Sequence, residues 1–143
     1  MNRVIAASVL LCAGVMVDAN ADCLNNQVTD LQPLLLNKHV CAVRGSDVWR
    51  ERHDSLGKLF DIKKGADPVD PTKEVGTWLV TRKKSDKNGD KNDVVTYTYF
   101  GSAVSFTYRV HQIGLSPGTY DFCDVKTPDN IVTNAKIQTA ACP

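Results

Sequence analysis

Residues 76–123 read GTWLVTRKKSDKNGDKNDVVTYTYFGSAVSFTYRVHQIGLSPGTYDFC, and this stretch decides the fold of the chain. Large side chains alternate with small or polar ones in two runs, which are Val95, Tyr97 and Tyr99, then Val104, Phe106, Tyr108 and Val110. A period of two puts the large residues of each run on one face, as in a half-buried antiparallel strand. Turn-forming residues separate the runs, at Asn88-Gly89, Gly101-Ser102 and 116–118. The stretch therefore predicts an antiparallel meander of four strands.

Shorter strand patterns flank the meander, over residues 38–44, 48–54, 58–63 and 131–139. A segment rich in proline, glycine and aspartate, 64–75, predicts a connecting loop. No part of the chain has room for the helical crossovers that a parallel sheet needs. We therefore predict an all-β fold, a small antiparallel meander of seven or eight strands curled into a barrel or a two-layer sandwich.

One short N-terminal helix is predicted over residues 30–36. Thr29 and Gln32 have the spacing of a capping box, and Leu31, Leu34 and Leu35 follow at helical intervals. The leucines are expected to pack into the core, so that the helix closes one end of the barrel.

The first 21 of the 143 residues have the features of a secretory signal peptide. Arg3 supplies the positive start, residues 4–17 form the apolar core, and residues 19–21 match a small-residue cleavage site. The remaining residues, 22–143, suffice for one hydrophobic core and thus for one domain. We predict an exported protein, either periplasmic or secreted.

Four of the five cysteines remain after Cys12 leaves with the signal peptide, and an even number in a small exported domain predicts two disulfides. A bond between Cys123 and Cys142 is disfavoured, because the last strand carries Cys142 away from Cys123. Two pairings remain. We favour Cys23–Cys142 with Cys41–Cys123, since the first two lie at the chain ends and the others within strands; the alternative is Cys23–Cys123 with Cys41–Cys142.

The charges nearly balance, with 17 basic and 16 acidic residues. Such a chain has no long-range attraction for nucleic acid or anionic lipid, so we expect neither as a partner after signal cleavage. We also expect a monomer.

Segment 48–54, VWRERHD, holds the densest group of chemically capable side chains. Its period of two places Trp49, Glu51 and His53 on one face. We predict that these three line a ligand pocket together with Tyr97, Tyr99 and Tyr108, because tyrosine and tryptophan combine a large ring with a hydrogen-bonding tip. One alternative is a solvated edge strand that Trp49 anchors. Another is that all the aromatic residues belong to the core, with Glu51 and His53 on its rim.

Metal and cofactor motifs are weak. Residues 86, 88 and 90 (Asp, Asn, Asp) have the spacing of calcium ligands, but the glycine is misplaced and no glutamate closes the loop, so we predict a plain hairpin tip. The histidines, His39, His53 and His111, are far apart in sequence, and His111 is predicted on a polar surface. No cofactor, metal or nucleophile motif is predicted.

The function predicted from these features is that of an exported, non-catalytic binding module for a small molecule or a protein, a class that includes enzyme inhibitors. The alternative is a small exported hydrolase or metal-dependent enzyme that uses Glu51, His53 and His111. One triplet, Gly76-Thr77-Trp78, resembles the Gly-x-Trp that opens lipocalin and avidin barrels. Because three strands precede it here, the resemblance implies only a similar architecture.

Overall fold

A computed structural model of the protein describes residues 23–44, 47–62, 72–84, 91–114, 117–127 and 131–143. The predicted signal peptide, residues 1–21, lies outside this part of the chain. So do residues 86–90 of the predicted hairpin tip, 86–93, whereas residues 91–93 begin a strand rather than belonging to the tip. Among the described residues, no helix has both the length and the apolar character that crossing a membrane requires.

The described residues form one helix and eight strands: α1 Leu31–Leu35, β1 His39–Arg44, β2 Asp47–His53, β3 Lys58–Asp61, β4 Lys73–Lys84, β5 Lys91–Tyr99, β6 Ser105–Gln112, β7 Thr119–Asp124 and β8 Ile131–Gln138. Each strand pairs antiparallel with the next one in sequence, and β8 pairs with β1. The sheet is therefore a closed barrel, which confirms the predicted all-β class and selects the barrel over the sandwich.

The β1–β8 seam, which closes the barrel, is short. Only His39, Val40 and Cys41 of β1 have partners on β8, and the last pair is Cys41 with Lys136. By comparison, nine residue pairs join β4 to β5, from Gly76–Tyr99 to Lys84–Lys91. The residue pairs between β1 and β8 end at Cys41.

A β-bulge in β8 lies close to the end of these pairs. Tyr120 of β7 is opposite Ala135 and Phe122 is opposite Val132, so that Thr133 and Asn134 share one partner position. Asn134 has a φ of 57°, and its backbone N–H donates to the Asp121 carboxylate at 2.9 Å. The extra residue bends β8 and changes which of its side chains face the core, namely Val132, Ala135 and Ile137.

Helix α1 closes one end of the barrel. Its residues Leu31 and Leu35 are fully buried and belong to the same cluster as the inward-facing side chains of the strands. This confirms the predicted helix and its packing. We call this end the helix end, and the opposite one, where the β1–β2 and β5–β6 connections lie, the far end.

The predicted capping box of this helix is wrong. Its N-cap residue is Asp30, which makes no side-chain capping bond. Instead, the N–H of Leu31 donates to Oδ2 of Asp93 on β5 at 3.0 Å, and Arg82 on β4 donates to Oδ1 at 2.9 Å. Asp93 is only 1% exposed, so a buried carboxylate that accepts two hydrogen bonds attaches the helix to the barrel wall. Because Asp93 is 62 positions from Leu31 in the sequence, no local sequence pattern indicates this cap.

Strand β4 contains the Gly76-Thr77-Trp78 triplet. Trp78 faces the core and is 4% exposed. A Cβ atom at Gly76 would lie 2.2 Å from the carbonyl oxygen of Thr98, so the close approach of β5 requires glycine at this position.

The two disulfides are Cys23–Cys123 and Cys41–Cys142, with Cα atoms 6.0 and 5.6 Å apart. Two bonds were predicted, but the favoured pairing, Cys23–Cys142 with Cys41–Cys123, is wrong. Strand β8 lies between β1 and β7, which places Cys41 and Cys123 about 10 Å apart, beyond the roughly 7 Å that a disulfide spans. The chain after β8 returns to Cys41 instead.

Trypsin should place the four cysteines on separate peptides, because lysine or arginine lies between each neighbouring pair. Mass spectrometry without reduction should find residues 39–44 linked to 137–143, and the peptide containing Cys23 linked to 110–126. A link between 39–44 and 110–126 would contradict the structure. Replacing Cys41 and Cys142 together by serine should lower the free energy of unfolding by about 2–5 kcal/mol.

Candidate functional site

The three predicted site residues of β2 face the barrel interior. Trp49 lies opposite Ala42, and Glu51 lies opposite Val40, both of which are buried core residues. His53 is completely buried, whereas Trp49 is partly exposed and packs against the core. Strand β2 pairs with both β1 and β3, so the alternative of a solvated edge strand is wrong.

The three predicted tyrosines lie on the same interior surface. Tyr97 and Tyr108 are each 4% exposed, and Tyr99 is partly exposed towards the far end. The ring centroid of Tyr97 lies 6.4 Å from that of Tyr99 and 6.0 Å from that of Tyr108. The structure therefore brings all six residues into one interior, while their role in ligand binding stays a prediction.

His53 is held as a neutral imidazole. Its Nε2 shares a hydrogen bond of 3.0 Å with the Tyr97 hydroxyl, and its ring meets that of Trp78 edge-on at 5.1 Å. Burial lowers the pKa of His53 to about 4, although the backbone carbonyls of Lys38 and Glu51 partly oppose this shift. Its Nδ1 makes no hydrogen bond with any described residue. At neutral pH the ring is therefore uncharged.

Glu51 is a buried carboxyl group whose charge changes near neutral pH. Burial raises its pKa to about 7, the hydrogen bond from Tyr99 lowers it in part, and repulsion from Asp61 adds to the increase. The Tyr99 hydroxyl donates to Oε1 at 2.9 Å, and Asp61 lies directly opposite Glu51 on β3. Glu51 thus changes its charge near neutral pH, close to the far end of the barrel.

His111 is not a surface residue, contrary to the prediction. It is 2% exposed and lies on the outer face of β6, where residues 25–28 cover it. Its Nδ1 is 2.7 Å from the carbonyl oxygen of Asn25, and Val28 donates its N–H to the Val110 carbonyl oxygen beside it. Because His53 faces inward and His111 outward, the barrel wall separates them. Glu51, His53 and His111 therefore do not form one cluster.

No three histidine, cysteine, aspartate or glutamate residues within the described ranges are arranged to hold a metal ion. The interior offers a neutral imidazole, a carboxyl group of shifted pKa and several aromatic rings. Burial also raises the pKa of Tyr97 and Tyr99 well above the ordinary tyrosine value, so both hydroxyls keep their protons.

A cavity of about 440 Å³ lies beside β1 and β8, next to the last residue pair between them. Residues just beyond the last β1–β8 pair line it on both sides, Ala42 and Val43 on β1 and Thr133 and Asn134 on β8. We call this space the seam cavity. Trp49 lines it, whereas the five other predicted site residues lie outside its lining.

Among the residues that line the seam cavity, sequence reasoning predicted only Trp49 as a ligand-binding residue, and it missed the two charged ones, Arg50 and Lys136. Period-two alternation assigns Arg50 to the solvent face, and nothing local indicates that β8 and the segment after it approach β2 there. The pairing of β1 with β8, which are far apart in the sequence, brings these residues together, and local patterns do not predict it.

Comparisons of the chain with protein-family models, curated proteins and solved structures found no match. The contacts described above therefore form the basis for interpreting the site.

The free energy of unfolding should depend on pH through Glu51. The folded-state pKa of about 7 exceeds the ordinary value of 4.5, so the folded state binds the proton more tightly than the unfolded state does. As the pH rises from 4.5 to 7, the free energy of unfolding of the wild-type protein should fall by about 2–3 kcal/mol because of this group. The Glu51→Gln variant should not show this decrease.

Urea unfolding of both proteins at pH 5, 6, 7 and 8 measures this difference. Glu74→Gln is a matched control, because Glu74 forms only a partly exposed ion pair with Lys58, of the kind that contributes little to stability. A constant difference between wild type and Glu51→Gln across this pH range would show that Glu51 ionises normally.

Proposed function

We propose that this protein is an exported, non-catalytic binding protein that takes a small molecule into the seam cavity. The observation that carries the proposal is the cavity itself, whose volume of about 440 Å³ falls within the roughly 300–1,000 Å³ of typical ligand pockets. Apolar side chains contribute much of its lining, and Trp49 offers a large ring with one polar atom.

The rigidity of the cavity walls supports the proposal. The disulfide between Cys41 and Cys142 fixes the segment after β8 against β1, and both cysteines line the cavity. A site fixed in advance loses little conformational entropy when it binds a ligand. The same bond and Cys23–Cys123 favour an oxidising, extracytoplasmic compartment, in agreement with the predicted signal peptide.

The polar interior offers a second layer of contacts behind Trp49. Glu51 follows Trp49 by two residues on the inward face of β2, so it is the polar group that a ligand passing Trp49 would meet first. His53, Tyr97, Tyr99 and Tyr108 extend this surface through the rings and hydrogen bonds described above. Contact between a ligand and these five residues remains part of the proposal.

The test uses N-phenyl-1-naphthylamine, an uncharged probe whose fluorescence increases in apolar surroundings. The wild-type protein should bind it saturably with one site per chain. Val43→Phe should weaken this binding several-fold, because Val43 lines the cavity and the larger ring fills part of it. Val43 is 63% exposed, so the substitution should be tolerated by the fold.

Leu79→Phe is the matched control, since Leu79 is 62% exposed on β4 and lies outside the cavity lining. Its affinity for the probe should equal that of the wild type, and thermal unfolding should verify that both variants are folded. Absence of saturable binding to the wild-type protein, or equal weakening by both substitutions, would refute the proposed site.

A further inference from the structure

We propose that the ligand of the seam cavity is an amphipathic carboxylate: a small molecule with one anionic head and an apolar body. This inference rests on the proposed binding function and specifies the class of ligand. It is carried by two cationic side chains, Arg50 and Lys136, that border a largely apolar space with no acidic side chain in its described lining.

The cations form a row across three strands. Arg50 on β2 and Lys136 on β8 are both direct partners of Cys41 on β1, one on each side. Residues directly opposite one another in a sheet project from the same face. Cys41 carries the disulfide to Cys142, so a positively charged side chain flanks the bond on either side. All four residues line the cavity.

Within the part of the chain that the structure describes, these two cations have no ion-pair partner, in contrast to Lys58 and Arg82. No aspartate or glutamate side chain is among the described residues that line the cavity. Asp121, which approaches the bulge, is 2% exposed, and its Oδ1 accepts the N–H of Asn134. The side chains of the lining thus carry two positive charges and no negative one.

The apolar part of the site lies beyond this row. Val43 and Val48 are paired at the end of the β1–β2 hairpin and are 63% and 49% exposed. Ala42 and Trp49 form the next pair and face the interior. An anionic head beside Arg50 and Lys136 therefore leaves an apolar body free to cover the valines and to contact Trp49, which also lines the cavity. Arginine suits this role because its guanidinium binds a carboxylate through two parallel hydrogen bonds.

The test compares three probes with the same hydrocarbon chain and different heads: octanoate, octan-1-ol and octylammonium. Calorimetric titration at pH 7.5 and low ionic strength should show that octanoate binds at least about tenfold more tightly than octan-1-ol, with octylammonium weakest. Replacing Arg50 and Lys136 together by glutamine should remove most of the advantage of octanoate over octan-1-ol while leaving the affinity for octan-1-ol nearly unchanged.

The matched control replaces Arg109 and Lys126 by glutamine, two exposed cations outside the cavity lining. It changes the net charge by the same amount and should leave octanoate binding nearly unchanged. Equal affinities for octanoate and octan-1-ol, tighter binding of octylammonium, or equal losses in the two double variants would overturn the ligand class and leave the proposed function standing. If neither these probes nor N-phenyl-1-naphthylamine bind, the proposed function and the inference both fail.

Discussion

The closure of the barrel by three residue pairs between β1 and β8 is the constraint on which the rest of the structure depends. Once these strands meet, the alternating side chains of the other strands become an enclosed core, and Leu31 and Leu35 can cover one end. The bulge at Thr133 and Asn134 lies two residues from Lys136, the last β8 residue in these pairs. The disulfide from Cys41 to Cys142 reinforces the short seam, and the bulge, the end of β1 and the disulfide together line the cavity.

Three buried ionisable groups show how the barrel treats charge in its interior. The Asp93 carboxylate is paired with Arg82 and accepts a second hydrogen bond from the N–H of Leu31. His53 is uncharged at neutral pH, since burial disfavours the imidazolium. Glu51 has a tyrosine partner and no ion pair among the described residues, and burial raises its pKa to about 7. The barrel thus pairs one buried acid with a cation and leaves the other to change its charge near neutral pH.

Local patterns in the sequence predicted what depends on neighbouring residues. The period of two placed Trp49, Glu51 and His53 on one face, and the meander pattern predicted the strands that carry Tyr97 and Tyr108, so the shared interior could be foreseen. Four features could not, because each joins distant parts of the chain: the cap that Asp93 gives the helix, the bulge in β8, the disulfide pairing and the cavity. Contacts between residues that are not neighbours in the sequence produce no periodic pattern within a segment.

Each disulfide joins residues about a hundred positions apart, at separations of 100 and 101. During synthesis Cys23 and Cys41 emerge long before either native partner, and a bond between these two would close a much shorter loop at a lower entropic cost. Native pairing therefore requires that oxidation wait for the end of the chain, or that early bonds be exchanged through mixed disulfides. The linkage that makes the finished barrel rigid thus makes its maturation depend on a thiol-exchange catalyst or on delayed oxidation.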